Sequence, residues 1–186
     1  SNCVISLIDE KISDGSFIKL IDNYQPDFIF FDKKRIKKLD SFFTSYSFES
    51  FELLEVKKKI KKKLNDNLAL LISTSGSTGT SKLVRLSADN LKENISSIIQ
   101  YLDISQKDIS ITTLPMSYVY GLSIINTHLN QGASIVLNNK SVIEKEFWNK
   151  LQKNKVTNFG GVPYTYSILE KIKLKNFDLS SLKYTT

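Results

Sequence analysis

The chain has 186 residues, a formal net charge of +7 and a mean hydropathy of −0.17. An apolar content of 41% and this length are typical of one soluble globular domain with its own hydrophobic core. No apolar run approaches the roughly 20 residues that a membrane-spanning helix needs. A single cysteine, Cys3, and a single histidine, His128, exclude an intrachain disulfide and a zinc site built from both residue types. We therefore expect a cytoplasmic protein with no metal ligands, in which Cys3 is a small buried residue.

Short β-branched runs alternate with helical patterns along the chain. Strands are predicted at residues 4–8, 28–31, 68–73, 109–114, 134–137 and 157–160. Three apolar stripes at helical spacing predict helices between them, and they contain these residues: Leu91, Ile95, Ile98, Ile99 and Leu102; Ile143, Phe147 and Leu151; Tyr166, Leu169 and Ile172. Ser87 is the expected N-cap of the first of these helices, and Pro163 the expected first residue of the third. This alternation predicts an α/β fold of βαβ units, with a mostly parallel sheet and flanking helices.

Two lysine-rich runs interrupt this pattern, "KKRIKK" at residues 33–38 and "KKKIKKK" at 57–63. Eleven of the 26 basic residues lie in them, which leaves a nucleic-acid-binding module as an alternative function. We favour a solvated helix face, because the runs lack the interleaved aromatic residues on which single-stranded bases stack. Residues 33–67 are predicted to form a basic, mobile connection that contains one helix.

The stretch "LLISTSGSTGTSKLVRLS" at residues 70–87 places a loop rich in serine, threonine and glycine directly after a predicted strand. Ligands of α/β sheets bind at the carboxyl ends of strands, where glycines let the backbone N–H groups approach an anion. The hydroxyl groups and Lys82 add donors and a positive charge for phosphate oxygens. The Walker loop is excluded, because Lys82 does not directly follow a glycine. A flexible linker remains the alternative, although it requires neither the strand before the loop nor the lysine after it.

The motif "TSGSTGTSK" at residues 74–82 resembles the phosphate loop TSG[ST]TGxPKG of the acyl-adenylate-forming superfamily, most of all that of bacterial acyl-CoA synthetases. Ser81 stands where that family usually has proline, and Leu83 where it usually has glycine. The segments "LSADNLKEN", "LPMSYVYGLSIINTHLNQGASIVL" and "VTNFGGVPYTYSILEK" are similar to family segments in the same order over nearly the whole chain. The resemblance implies that the phosphates of ATP contact these residues: Thr74, Ser75, Gly76, Ser77, Thr78, Gly79, Thr80 and Lys82.

The same resemblance implies that two further segments wall the pocket of a carboxylic acid substrate. The residues concerned are Tyr118, Tyr120, Gly121, Gly160, Gly161, Val162 and Pro163. Tyr118 stands where many acyl-CoA synthetases have histidine, so a flat phenol replaces a group that titrates near neutral pH. Ordinary core packing explains the two tyrosines equally well, and a tight turn explains the glycines. We expect His128 to be a packing or surface residue.

The implied reaction activates a carboxylic acid with ATP and Mg²⁺ to an acyl-adenylate, and transfers the acyl group to CoA or to a carrier protein. By the same resemblance, the 186 residues correspond to an internal fragment of the AMP-binding N-terminal domain. The adenine motif, the hinge and the C-terminal lid domain with its catalytic lysine are expected outside them. No catalytic residue is therefore expected within this fragment, and we expect the fragment alone to be inactive. A non-catalytic remnant of the fold is the remaining alternative.

Overall fold

The computed structural model describes residues 3–34, 42–56, 63–73, 82–172, 174 and 177–186. The chain divides into two compact units, one of Ser1–Glu10 with Asp66–Thr186 (unit 1) and one of Lys11–Asn65 (unit 2). The described residues form these elements, in chain order: β1 (Ile5–Leu7), α1 (Asp14–Tyr24), β2 (Phe28–Asp32), β3 (Phe42–Phe48), β4 (Phe51–Val56), β5 (Leu68–Ser73), β6 (Leu83–Ser87), α2 (Ala88–Leu102), β7 (Ile109–Ile111), α3 (Val119–Asn130), β8 (Ser134–Val136), α4 (Lys145–Lys153), β9 (Asn158–Phe159), α5 (Pro163–Leu169) and β10 (Tyr184–Thr185). Within these ranges, a helix both long enough and apolar enough to cross a membrane does not occur.

Unit 2 is an antiparallel sheet in the order β2-β4-β3, with α1 packed on one of its faces. Ile29, Phe31 and Leu54 point from alternate positions of β2 and β4 into a small core, against which Phe17 and Ile21 of α1 pack. The helix begins where the Ser13 hydroxyl accepts a hydrogen bond from the Ser16 N–H. Alternation of side chains across the strands thus gives unit 2 one buried face.

The predicted connection at residues 33–67 was wrong for its central part. Residues 42–56 form β3 and β4, which are joined by a two-residue turn at Glu49 and Ser50. Both segments contain the aromatic residues that favour strands, but neither alternates apolar and polar residues regularly along its whole length. The turn lacks glycine, proline and asparagine, and Glu49 itself takes the left-handed conformation, with φ +49°. Residues 35–41 and 57–62, which include most of both lysine runs, lie outside the described residues.

Unit 1 contains two sheets, in the orders β1-β5-β6 and β10-β9-β7-β8. The second sheet is parallel throughout, and β1 also pairs parallel with β5. The predicted α/β class and its parallel strands are confirmed, and β5 has the predicted bounds. The antiparallel strand β6 and the short strand β10 were not predicted. Cys3 is exposed rather than buried as predicted, because it precedes β1 at the edge of its sheet.

The helices of unit 1 begin at the expected signals. Ser87 caps α2 reciprocally: its hydroxyl accepts from the Asn90 N–H, and the Asn90 side chain accepts from the Ser87 N–H. Pro163 is the first residue of α5. The stripe predicted for α4 was wrong at Ile143, which lies before the helix and is 64% exposed.

Buried aromatic residues hold α4 against the parallel sheet. Phe147 and Trp148 of α4 meet Phe159 of β9 edge to face, with ring centroids 5.9 and 6.3 Å from that of Phe159. Such pairs add about 0.5–1.5 kcal/mol each to the gain from burial alone. The indole N–H of Trp148 donates to the Val142 carbonyl over 2.7 Å, so the ring buries no unpaired donor.

A buried carboxylate joins the amino ends of three neighbouring strands. Asp108, Thr157 and Lys183 immediately precede β7, β9 and β10, and the Asp108 carboxylate accepts hydrogen bonds from the other two side chains. Asp108 is 1% exposed and also accepts from the backbone and the hydroxyl of Ser105. Burial acts to raise the pKa of Asp108, but the hydrogen bonds from Lys183, Ser105 and Thr157 outweigh it and lower the pKa from 3.8 to about 2.

His128 lies beside these strands, on α3, and is 2% exposed. Its Nδ1 is 2.8 Å from the Ile124 carbonyl, which can only accept, so Nδ1 carries the proton. Nε2 then accepts from the Asn158 side chain of β9 over 3.0 Å. Burial lowers the pKa of His128 and keeps the ring neutral. The histidine therefore fixes α3 to β9, in agreement with the packing role that we expected.

We predict that Asp108→Asn lowers the free energy of unfolding by about 2 kcal/mol at pH 7, because a neutral amide replaces a buried carboxylate that accepts from Lys183, Thr157 and Ser105. The pKa of Asp108 is lower in the folded chain than in the unfolded chain. Its contribution of about 2 kcal/mol is therefore complete above pH 4 and is lost as the pH falls towards 2. Urea unfolding of both proteins at pH 7, 4 and 2.5 should show the difference shrinking at the lowest pH. Glu93→Gln, on the exposed face of α2, is the charge-matched control; a difference of the same size at every pH would contradict the role of the Asp108 charge.

Candidate active site

The predicted phosphate loop is bounded by two paired strands. Residues 74–81 lie outside the described residues, but Ser73 at the end of β5 pairs with Leu83 at the start of β6. The chain therefore enters and leaves the loop at neighbouring positions of one sheet. Lys82 directly precedes β6 and is exposed, so its charge is available to a ligand. The predicted strand before residues 74–81 and the exposed lysine after them are present, whereas the phosphate-binding role of residues 74–80 and Lys82 stays a prediction.

The predicted acid-pocket residues converge at the carboxyl ends of β7, β9 and β10. Gly160 directly follows β9, and its carbonyl accepts a hydrogen bond from the hydroxyl of Thr113, two residues after β7. Thr186 directly follows β10, and its side-chain hydroxyl accepts from the Tyr120 hydroxyl over 2.7 Å. Tyr120 belongs to the first turn of α3, so this helix delivers a phenol to the ends of the strands. This edge of a parallel sheet is where α/β proteins bind ligands.

Thr186 is held by its backbone as well as by its side chain. Its carbonyl accepts from the Gly161 N–H over 2.7 Å and from the Tyr166 hydroxyl over 2.6 Å. Its own N–H donates to the Phe159 carbonyl over 3.2 Å. The residue is thus fixed to β9 and to α5, and it presents a rigid acceptor to Tyr120.

Two of the predicted glycines sit where a side chain has no free space. A Cβ on Gly160 would lie 2.5 Å from Ile124 Cδ1 and 3.0 Å from the Tyr120 hydroxyl oxygen. A Cβ on Gly121 would lie 2.3 Å from the Pro115 carbonyl oxygen. A Cβ on Gly160 would meet side chains, which can shift, whereas a Cβ on Gly121 would meet backbone, which cannot. Gly121 therefore lets α3 approach the loop after β7, and Gly160 lets Tyr120 approach β9.

The remaining predicted residues border this cluster. Tyr118 is the half-buried N-cap residue of α3, and its N–H donates to the Pro115 carbonyl over 3.1 Å. The N–H of Val162 donates to the Thr165 hydroxyl over 3.3 Å, and exposed Pro163 begins α5. Lys82 directly precedes β6, which belongs to the other sheet of unit 1, of order β1-β5-β6. Thr113, Tyr166 and Thr186 were not predicted, since only the fold shows that they follow, or face, the ends of adjacent strands.

The tyrosine side chain at the centre of the cluster is uncharged at neutral pH. Burial raises the pKa of Tyr120, and the hydrogen bond to Thr186 opposes this only in part. The phenol therefore stays a hydrogen-bond donor and supplies no charge. This side chain therefore does not act as a general acid or base near pH 7.

Two grooves flank the cluster. One of about 500 Å³ lies at the ends of β7 and β8 and is lined by Leu114, Met116, Leu137 and Lys150, among others. Another of about 360 Å³ lies beside α5 and is lined by Phe159 and Tyr166, among others. Tyr120 and Gly160 line neither groove, so the space between them is filled by protein. Within the described ranges there is no group of three His, Cys, Asp or Glu side chains that could hold a metal ion.

We predict opposite outcomes for removing two tyrosine hydroxyls. Tyr120→Phe should lower the free energy of unfolding by about 1 kcal/mol, because the Thr186 hydroxyl loses its donor. Tyr184→Phe should leave it unchanged or raise it, because the buried Tyr184 hydroxyl has no hydrogen-bond partner among the residues described. Urea unfolding of the two variants measures the contrast, and equal losses would contradict the assigned hydrogen bonds.

Two curated enzymes are similar to this chain in sequence. An acyl-CoA ligase of Glarea lozoyensis is 30% identical over 123 residues, which are 63% of this chain and 22% of that protein. Luciferin 4-monooxygenase of Nipponoluciola cruciata is 31% identical over 137 residues, or 72% of this chain and 24% of that enzyme. The chain thus spans about a quarter of the length of these curated relatives.

Solved structures of ligases share the fold of this chain. A fatty acyl-adenylate ligase from L. pneumophila, in complex with acyl adenylate and pyrophosphate, is 28% identical with a TM-score of 0.56, covering 69% of this chain and 24% of that one. An o-succinylbenzoate CoA synthetase from Bacillus subtilis aligns over 97% of this chain and 47% of its own, with a TM-score of 0.69 at 19% identity, which shows the fold alone. The family profile described as AMP-binding enzyme matches residues 4–186. The chain therefore belongs to the AMP-binding enzyme family.

Proposed function

We propose that the complete protein activates a carboxylic acid with ATP and transfers the acyl group to a thiol. The observation that carries the proposal is the motif of residues 74–82, which directly follows β5 in a chain that belongs to the AMP-binding enzyme family. The relative from L. pneumophila is described in complex with acyl adenylate and pyrophosphate, which are both products of such an activation. The thiol would be that of CoA or of a carrier protein.

In the first half of the reaction, a carboxylate oxygen attacks the α-phosphorus of ATP. A bond forms between the carboxylate oxygen and the α-phosphorus. The bond between the α-phosphorus and the oxygen that bridges it to the β-phosphate breaks. Pyrophosphate leaves with that electron pair. In the second half a thiolate attacks the acyl carbon, a thioester forms and AMP leaves. The acid is already ionised at pH 7, so the first half needs no general base.

The residues of this chain would bind and orient the reactants. Residues 74–80 and Lys82 would hold the phosphates and offset their charge. Mg²⁺ would neutralise phosphate charge in the same place. The acid would lie at the carboxyl ends of β7 and β9, against Tyr118, Tyr120 and Gly160 to Pro163. Because the chain spans about a quarter of its curated relatives, we assign the reaction to the complete protein and expect no turnover from the 186 residues alone.

The test is acid-dependent exchange of labelled pyrophosphate into ATP by the complete protein, with a panel of carboxylic acids. Lys82→Ala should reduce the exchange rate by about 10²-fold, because one charged donor to the phosphates is lost. Lys82→Arg should restore part of it, since the charge returns with a different geometry. The control Lys107→Ala removes an exposed charge at the amino end of the predicted pocket's own sheet, just before β7, and should change nothing. Equal rates for Lys82→Ala and Lys107→Ala would contradict the role of Lys82.

One observation favours nucleic-acid binding as a second candidate function. The pairing of β2, β4 and β3 puts Phe28, Phe30, Tyr46 and Phe48 on one face, where each is at least 50% exposed, and in the sequence the two lysine runs directly follow β2 and β4. Exposed aromatic side chains between basic segments are typical of single-strand binding. Asp32 and Glu55 share that face, however, so acid activation remains the first candidate. Binding of a labelled single-stranded oligonucleotide that weakens steeply between 50 and 200 mM salt would support the second candidate, and binding absent at low salt would exclude it.

A further inference from the structure

The groove of about 500 Å³ at the ends of β7 and β8 is a cavity that the proposed function does not use. The described residues that line it include none of the predicted acid-pocket residues. In the sheet order β10-β9-β7-β8 the groove lies at β8, the last strand, whereas Gly160 and Thr186 follow β9 and β10. A volume of this size is typical of sites that hold a small molecule.

Apolar side chains form most of the walls of this groove. Ile125 of α3 is buried and belongs to the core, whereas Met116 and Leu137 are exposed large apolar side chains. Leu114 and Pro115 extend the same surface. Exposed apolar side chains around a concave surface are typical of ligand-binding grooves. A ligand that fits these walls has an apolar body.

The polar groups at the strand ends of the groove are already paired with protein. The Thr112 hydroxyl donates to the Asn138 carbonyl over 3.1 Å and accepts from the Asn138 N–H over 2.8 Å. The Asn138 side chain donates to the carbonyls of Thr112 and Lys140 and accepts from the Lys140 N–H. These bonds hold the ends of β7 and β8 together, so the groove is formed before a ligand binds. Apart from the exposed amide of Asn139, they leave few partners for a sugar or a nucleotide, which need many hydrogen bonds.

Lys150 is the one charged residue among those that line the groove. It lies in the last turn of α4 and is half-buried, and its Nζ donates to the Leu137 carbonyl over 2.8 Å. Within the described ranges this carbonyl is the one hydrogen-bond acceptor of the ammonium group, which has further N–H donors for a ligand. The bond also fixes the charge at the groove wall, so a ligand loses less binding energy in ordering this long side chain.

We propose that this groove is a second binding site of the protein, for a small molecule with an apolar body and a single negative charge. The body lies against Ile125, Met116 and Leu137, and the anionic group accepts from Lys150. A charge-assisted hydrogen bond is roughly twice as strong as one between neutral groups, so the charge decides between ligands of equal apolar size. The proposal goes beyond the proposed function and does not depend on it.

Met116 offers a direct readout of binding, because it is the only methionine of the 186 residues. The complete protein is labelled with ¹³C-methyl methionine, and Met116→Leu assigns the Met116 signal. The probes are decanoate, decan-1-ol and decyltrimethylammonium, which share one alkyl chain and differ in charge. Below its micelle concentration, decanoate should shift the Met116 signal saturably and bind about tenfold more tightly than decan-1-ol. Decyltrimethylammonium should bind most weakly.

Three lysine variants test the source of this preference. Lys150→Met keeps most of the side-chain length and removes the charge, so it should lower the affinity for decanoate about tenfold and leave that for decan-1-ol unchanged. Lys150→Arg keeps the charge and should retain most of the affinity for decanoate. Lys153→Met is the matched control, because it removes an exposed charge from the same turn of α4 but does not line the groove. Thermal unfolding of every variant separates loss of fold from loss of binding.

An unshifted Met116 signal in the folded protein would overturn the inference, whether the rest of the complete chain or a second copy covers the groove. Equal affinities for decanoate and decan-1-ol would overturn it as well, and so would equal affinities of wild type and Lys150→Met for decanoate. The titration contains no ATP and measures no turnover. Its result is therefore independent of the pyrophosphate exchange that tests the proposed function.

Discussion

The buried carboxylate of Asp108 is the constraint on which the geometry of unit 1 depends. It receives hydrogen bonds from the residues that directly precede β9 and β10, and it directly precedes β7 itself. Three adjacent parallel strands are therefore aligned at their amino ends. Because these strands are only two or three residues long, alignment at one end also fixes the other. Thr113, Gly160 and Thr186 can meet at the carboxyl ends because Asp108 holds the amino ends in register.

Helix α3 connects the two ends of this sheet. Near its carboxyl terminus, His128 bonds to Asn158, and near its amino terminus, Tyr120 bonds to Thr186. A helix held at both ends has little freedom to slide, and Gly121 permits the close approach to Pro115 that this position requires. The buried histidine is thus structural. It is neutral, it makes hydrogen bonds through both nitrogens, and its effect on a ligand would pass through the placement of Tyr120.

The sequence predicted the elements whose signals are local. Short apolar, β-branched runs identified β5, β7 and β8, and the N-cap serine identified the start of α2. The hairpin of β3 and β4 was missed because its turn places Glu49 in a conformation that normally requires glycine or asparagine. Thr186 could not be found at all, because its importance comes from the pairing of β10 with β9, a contact between distant parts of the chain. Tyr120 and Gly160 were predicted through a family resemblance to line the same pocket. That the Tyr120 side chain occupies the space above Gly160 follows only from the coordinates.

Charge and shape are supplied by different parts of unit 1. The cluster around Tyr120 consists of hydroxyl groups, glycines and backbone carbonyls, and burial keeps the phenol protonated. Such a surface can select a ligand by size and hydrogen bonding, but it cannot neutralise a polyphosphate. That task requires positive charge and N–H donors, which we propose for the glycine-containing sequence between β5 and β6 and for the exposed Lys82. Since the two parts belong to different sheets, the proposed function implies that a substitution at Lys82 would alter the charge offered to the phosphates and one at Tyr120 the shape offered to the acid. The two effects should therefore be nearly additive.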